Sequence, residues 1–132
     1  MNANVNHIGV YVKDLQKIAD FYTKYFNGKL SQPGYHNPKK NFTSHLITFE
    51  SGARLEIMHQ PNIKEVKEEP KAQHMGFIHI SFSIGSKENV DKLAEKLKAD
   101  GYDIIDGPRT TGDGFYEACV LDPENNRVEF TV

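Results

Sequence analysis

Two histidines and two glutamates recur at matched positions in this 132-residue chain, and together they have the chemistry of a divalent-cation site. His7 in NHIGVYV and His79 in IHISFSI stand 72 positions apart, and Glu56 in RLEIM and Glu129 in RVEFT stand 73 apart. The repeat runs further: Asp14, Ile18 and Tyr25 map onto Ser86, Val90 and Leu97 at 72, whereas Gly28 and Arg54 map onto Gly101 and Arg127 at 73. One extra residue between Leu97 and Gly101 accounts for the difference. Two imidazole nitrogens and two carboxylates balance the charge of a divalent ion and leave one or two coordination positions for water or substrate. Such a set suits Zn²⁺, Ni²⁺, Mn²⁺, Fe²⁺ or Co²⁺, and its lack of thiolate argues against a structural zinc. Any one of these residues alone would be an ordinary polar strand residue facing water. Their duplication favours metal: His7, Glu56, His79 and Glu129 are the candidate ligands.

The elements that must position them follow from periodicity. Residues 5–12 alternate, with Ile8, Val10 and Val12 on one side and His7, Gly9 and Tyr11 on the other, which is the period of a strand. From Asp14 to Phe26 the period becomes helical, with Leu15, Ile18, Tyr22 and Tyr25 on one stripe, Asp14 as N-cap and Gly28 as terminator. Strands are expected near 29–32, 44–50 and 53–59, with a Ser51-Gly52 turn. The second half repeats the order: strand 77–84, helix 86–99 between Ser86 and Gly101, then strands near 102–105, 116–121 and 127–132. Both halves thus read βαβββ, as modules 1–60 and 74–132. Residues 61–73 form a charged linker with room for a short helical turn. In all four ligand-bearing strands the candidate shares a face with other non-core residues, so the apolar faces can pack on helices while the polar faces line a common concave surface. Burying four ionisable groups there without a partner would cost several kcal/mol each, on the order of the usual desolvation penalty.

Length fits one compact domain built from two modules. With 16 Lys and Arg against 18 Asp and Glu, the net charge of −2 offers no basic surface for a phosphate backbone, so nucleic acid is excluded as a partner. Apolar runs are strand-sized, far below the roughly 20 residues a membrane helix needs, and no basic-then-apolar leader opens the chain. A soluble cytoplasmic protein is the expectation. The lone Cys119, in EACVL, reads as a buried small hydrophobe.

NHIGVYVKDLQKIADFYTKYFNGKL, GFIHISFSI and LDPENNRVEF resemble motifs of the vicinal oxygen chelate superfamily, the glyoxalase, bleomycin-resistance and extradiol-dioxygenase group. The last is similar to that group's D-P-x-G-N-x-x-E segment, with Asn125 where Gly is usual. The resemblance implies an α+β fold of two βαβββ modules whose mixed sheets curl around a metal cavity, usually in a homodimer. The His/Glu/His/Glu quartet resembles that of glyoxalase I. Fosfomycin-resistance thiol transferases and extradiol dioxygenases generally use two His and one Glu, and methylmalonyl-CoA epimerases often carry an amide where Glu56 stands. Some glyoxalase I enzymes use an Arg just after the first His motif for glutathione, and this chain has none there.

The expected reaction is a glyoxalase I type lyase or isomerase step on a small α-hydroxycarbonyl or its thiol adduct. Adjacent substrate oxygens would chelate the ion, the neighbouring C–H would be acidified towards an enediolate, and Glu129 or Glu56 would move the proton. Alternatives are epimerase chemistry, a resistance transferase, a dioxygenase, or a metal-free drug-binding protein. Arg54 and Arg127, each two residues before a ligand Glu, either meet an anionic substrate or pair with carboxylates at the rim. Residues 107–117, GPRTTGDGFYE, read as a mobile hairpin or flap from which Arg109 and Tyr116 could touch a ligand.

Overall fold

A computed structural model describes residues 1–65 and 69–132. The chain is α+β and divides into two compact units, Met1–Val66 and Lys67–Val132. The first runs β1 (Ile8–Tyr11), α1 (Leu15–Phe26), β2 (Lys29–Leu30), β3 (Tyr35–Asn37), β4 (Phe42–Thr48) and β5 (Arg54–His59); the second runs β6 (His79–Ser83), α2 (Lys87–Ala99), β7 (Ile104–Thr110), β8 (Tyr116–Leu121) and β9 (Arg127–Thr131).

Both helices begin where a side-chain acceptor is available. Asp14 accepts from the Lys17 N–H at 2.9 Å, and Ser86 from the Asn89 N–H at 3.2 Å, each satisfying a donor that the first turn leaves free. Helix α1 buries Ile18, Ala19, Phe21, Tyr22, Tyr25 and Phe26, and its aromatic rings cluster around Phe21 at centroid distances of 5.2 Å to Tyr22 and Tyr25 and 5.9 Å to Phe26. Helix α2 buries Val90, Ala94 and Leu97. The helix ends differ from the expected symmetry. Asn27, not Gly28, takes the left-handed conformation at φ 53°, which Asn tolerates better than most residues. Gly28 serves close packing instead, because a Cβ there would lie 2.5 Å from Ile47 Cγ2. Gly101 does take the left-handed conformation, at φ 91°.

Each unit has its own mixed sheet. The first has the order β1-β5-β4-β2 with β3 also paired to β4, and the second β6-β9-β8-β7. In both, the first strand lies parallel to the last, which pairs Gly9 with Glu56 and Ser81 with Glu129. The remaining ladders are antiparallel. Helix α1 packs on β4 and β5, and α2 on β7, β8 and β9. Ile47, Leu55 and Ile57 supply the buried face of one sheet; Ala118, Val120, Val128 and Phe130 supply that of the other. Alternation then leaves Arg54, Glu56, Arg127 and Glu129 half-buried on the opposite faces.

Several boundaries depart from expectation. Strand β1 starts after His7, and Ile8 is exposed rather than core-facing. The strand β3 was not anticipated: the expected strand ended near residue 32, whereas Pro33 and Gly34 separate two short pieces on the same edge of β4. In the second half the corresponding edge is one longer strand, β7, which continues through Gly107 and Pro108 with register shifts on both sides of Asp106; an edge strand accommodates a proline that a central one cannot. Residues 107–117 are therefore a sheet hairpin, closed by Thr111 N–H to Phe115 O at 2.7 Å and Gly114 N–H to Thr111 O at 3.0 Å. The helical turn anticipated in the linker falls partly on residues 66–68, outside the described residues; nearby, Ala72 N–H donates to Glu69 O at 2.8 Å.

The turn between β8 and β9 is held by the buried carboxylate of Asp122. Its Oδ1 accepts from the backbone N–H groups of Glu124 and Asn126, both at 2.9 Å, and its oxygens take Asn126 Nδ2 at 3.2 and 3.0 Å. Asn125 occupies the left-handed position at φ 68° where the motif usually has Gly. Asp122→Ala should lower the unfolding free energy by about 2–3 kcal/mol, because several donors lose their acceptor together, and Asp122→Asn should lose less; urea titrations of both would check this. Phe130→Ala, at a fully buried site, should cost about 3–5 kcal/mol in the same assay.

Candidate functional site

The parallel pairing in each unit brings one His and one Glu together by the same construction. His7 sits just before β1 and Glu56 at the middle of β5, with His7 Nε2 3.4 Å from Glu56 Oε2. His79 opens β6 and Glu129 lies on β9, with His79 Nε2 3.7 Å from Glu129 Oε2. Two donors that are each about 2.1 Å from one ion lie roughly 3.0 Å apart at a right angle and roughly 3.4 Å at the tetrahedral angle. Both pairs are close to that spacing, so their donor types and separations fit two ligands of a single cation. Within each unit the pair stands alone: among the described residues, no third His, Cys, Asp or Glu completes a metal-binding group.

The surroundings of the two carboxylates differ. Ser81 Oγ donates to Glu129 Oε1 at 2.7 Å, leaving Oε2 towards His79. Opposite Glu56 stands Gly9, which has no side chain to donate. Glu56 instead borders a cavity of about 370 Å³ with Ser31, Pro33, Tyr35, Ser44 and Leu46. Sequence reasoning missed these lining residues. Ser44 and Leu46 were accessible through strand parity, since Leu46 pairs with Glu56; Ser31 and Tyr35 required knowing that the chain doubles back along the edge of β4.

Glu117 was also missed. It pairs with Arg109 and Thr131 and lies on the same face as Cys119 and Glu129. Burial, and next the nearby Glu129 charge, raise its pKa above the ordinary carboxylate value. Cys119, directly across from Glu129, is buried, and that burial pushes its thiol up to about 11.

Arg54 donates through Nη2 to Asn6 Oδ1 and through Nε to Asn6 O at 3.3 Å. Arg127 Nη2 donates to the Lys71 carbonyl, while its Nε is buried without a hydrogen-bond partner among the described residues. Arg109 forks onto Asp106 through Nε at 2.9 Å and Nη2 at 2.6 Å, and this contact holds the Asp106 carboxyl below its usual value. Tyr116 opens β8. Strand alternation turns it to the helix side, where its hydroxyl donates to Asp91 at 2.7 Å and Lys87 Nζ lies 5.1 Å from its ring. It lines a larger cavity of about 550 Å³ between α2 and β7, with Asp91, Lys98, Tyr102 and Pro108. That cavity lies on the opposite face of the sheet from Glu129, so the smaller cavity, which contains a candidate ligand, is the better candidate site despite its size.

The other histidines bond locally. His36 Nδ1 meets Thr43 Oγ1 at 2.9 Å, and His45, His59 and His74 meet the carbonyls of Ser31, Val12 and Met75 at 3.2, 2.9 and 3.0 Å. Among the described residues, no helix is long and apolar enough to cross a membrane.

Because only the thiolate attacks an alkylating agent, Cys119 in the native protein should react with iodoacetamide far more slowly than in the urea-unfolded chain. Mass spectrometry of timed aliquots would show it, and fast native labelling would contradict the burial described.

The sequence model of the Glyoxalase/Bleomycin resistance protein/Dioxygenase superfamily matches residues 4–130. A relative from Bacillus subtilis (strain 168), the uncharacterized protein YqjT, is 29% identical over 128 residues, which cover 95% of each chain. Among solved structures, trypanothione-dependent glyoxalase I of Leishmania major superposes with a TM-score of 0.75 at 20% identity, over 98% of this chain and 86% of that one. A mutant of the fosfomycin resistance protein FosX of Listeria monocytogenes, complexed with Mn(II) and 1S,2S-dihydroxypropylphosphonic acid, superposes with a TM-score of 0.71 at 23% identity, over 99% and 93%. The structural likenesses agree with the fold described above, and with a match running through nearly its whole length this chain belongs to the Glyoxalase/Bleomycin resistance protein/Dioxygenase superfamily.

Proposed function

We propose that this protein is a metal-dependent lyase or isomerase of the glyoxalase I type, in which His7, Glu56, His79 and Glu129 hold one divalent cation. The observation that carries the reading is the duplicated pair: each unit independently brings a His Nε2 to within 3.4 or 3.7 Å of a Glu Oε2. Membership of a superfamily that includes a glyoxalase I and an Mn(II)-complexed resistance enzyme among its structural relatives supports it. Zn²⁺, Ni²⁺, Mn²⁺, Fe²⁺ and Co²⁺ all suit the nitrogen and oxygen donors.

A cation bound there supplies Lewis acidity to adjacent oxygens of an α-hydroxycarbonyl or its thiol adduct and so acidifies the C–H beside them. The residues of the chain do the rest. A carboxylate oxygen of Glu56 or Glu129 takes that proton and returns it to the neighbouring carbon, so no oxidant or reductant is consumed. The cavity beside Glu56 admits the substrate, with Ser31, Tyr35 and Ser44 offering hydroxyls and Leu46 and Pro33 an apolar wall. Arg54 and Arg127 have donors committed to the chain itself, which makes an anionic substrate contact the lesser role for them.

Elemental analysis of purified protein should find one divalent metal per chain, and methylglyoxal with a thiol should be turned over in a chelator-sensitive way. Glu56→Gln and Glu129→Gln should each lower turnover by about 100-fold or more with the circular-dichroism melt little changed. Absence of metal, or full turnover in both variants, would overturn the reading; stoichiometric metal without activity on any thiol adduct would favour epimerase chemistry. The same proposal includes a homodimer, supported by apolar side chains such as Met75, Phe77 and Tyr35 standing exposed on the single chain. Light scattering should then give twice the 15.0 kDa chain mass.

A further inference from the structure

Asn6 lies between Arg54 and His7, and the chemistry of the three groups leaves one arrangement. An arginine guanidinium has donors and no acceptor, so the Asn6 side-chain atom that receives Arg54 Nη2 must be the amide oxygen. The same oxygen is 2.8 Å from His7 Nδ1. An oxygen cannot donate to the ring, so His7 Nδ1 must carry the hydrogen. In a neutral imidazole the other nitrogen, Nε2, then holds the lone pair, and Nε2 is the atom that faces Glu56 Oε2. Arg54 also donates through Nε to the Asn6 carbonyl, gripping the residue at two points so that the amide cannot flip without losing a charge-assisted bond.

The second unit lacks this arrangement. Ile78 stands where Asn6 stands, 72 positions on; the equivalent arginine, Arg127, donates to the Lys71 carbonyl instead. No hydrogen bond to His79 Nδ1 is seen among the described residues. The duplicated ligands are thus supported unequally, and the sequence Asn-His in one half against Ile-His in the other is the visible mark of it.

We propose that Asn6, gripped by Arg54, is a positioning residue that fixes His7 as its Nδ1–H tautomer and so presents the Nε2 lone pair to the cation bound beside Glu56. The proposal rests on the metal-site reading above for its consequence; without a cation the Asn6 oxygen 2.8 Å from Nδ1 competes for the ring hydrogen with the Glu56 carboxylate 3.4 Å from Nε2. It gives Arg54 a role that neither a substrate contact nor a carboxylate pair at the rim describes. Partners of this kind on ligand histidines typically contribute 10–100-fold to metal affinity.

The test has two arms. In the metal-free protein in mildly alkaline buffer, long-range proton–nitrogen NMR of His7, assigned by its loss in His7→Gln, should show Nδ1–H in the wild type and in Asn6→Asp, which retains an acceptor. It should show a shift towards Nε2–H in Asn6→Leu. Titration with Zn²⁺ against a chromogenic chelator should give about 10–100-fold weaker binding for Asn6→Leu and a similar direction for Arg54→Met, with Asn6→Asp recovering most of the affinity. An unchanged tautomer in Asn6→Leu would overturn the proposal whatever the metal result, as would Zn²⁺ affinity equal to wild type. A wild-type protein that fails to bind Zn²⁺ but shows the predicted tautomer change would instead count against the metal site and leave the Asn6 clamp standing.

Discussion

Parallel pairing of the first strand of each unit with its last is the constraint on which the site depends. A parallel neighbour needs a crossover, and in both units that crossover begins with the helix and continues through the edge strands, so the helix ends up packed on one face of its own sheet. The opposite face keeps its polar side chains, and the register aligns position nine with Glu56 and position 81 with Glu129. With the histidine two residues upstream, a side chain from one strand end and one from the middle of its neighbour come within 3.4 Å in the first unit and 3.7 Å in the second. A slip of one residue in either ladder would turn the glutamate into the core.

The two units share that backbone relation and differ in local chemistry. Ser81 anchors Glu129, whereas glycine at the corresponding place leaves Glu56 facing a cavity. Asn6 orients His7, whereas Ile78 does nothing comparable for His79. Helix α1 ends on Asn27 and spends Gly28 on contact with Ile47, while α2 ends into a left-handed Gly101. Along the edges, one unit breaks its outer strand into β2 and β3 and the other keeps a single bulged β7. The two units thus share a backbone plan while the side chains around each His and Glu pair differ.

The charges on the polar faces are settled largely within the chain. Arg109 is occupied by Asp106, Arg54 by Asn6, and Arg127 by a backbone carbonyl. Each contact commits donors of an arginine within its own unit, and the hydroxyls of Ser31, Tyr35 and Ser44 are polar groups lining the cavity beside Glu56. Glu117 adds a second carboxylate next to Glu129, and its raised affinity for a proton follows from burial and from that neighbour.

What was legible in the sequence is what depends on local periodicity and on the repeat. Alternation in RLEIM and RVEFT indicated which face each glutamate takes, because a strand has period two; the helices and their N-caps followed from Asp14, Ser86 and the apolar stripes. What depends on how distant segments meet was not legible. Tyr116 was read only as a flap residue, and its bond to Asp91 of α2 depends on which face of β8 it takes. The strand β3 hid behind Pro33 because a break in one strand and the end of a strand look alike until the partner β4 is known. The clamp on His7 needed Arg54, 48 residues from Asn6, to fall beside it. A single chain of residue types encodes period and propensity directly, whereas hydrogen bonds between remote side chains exist only after the strands have chosen their register.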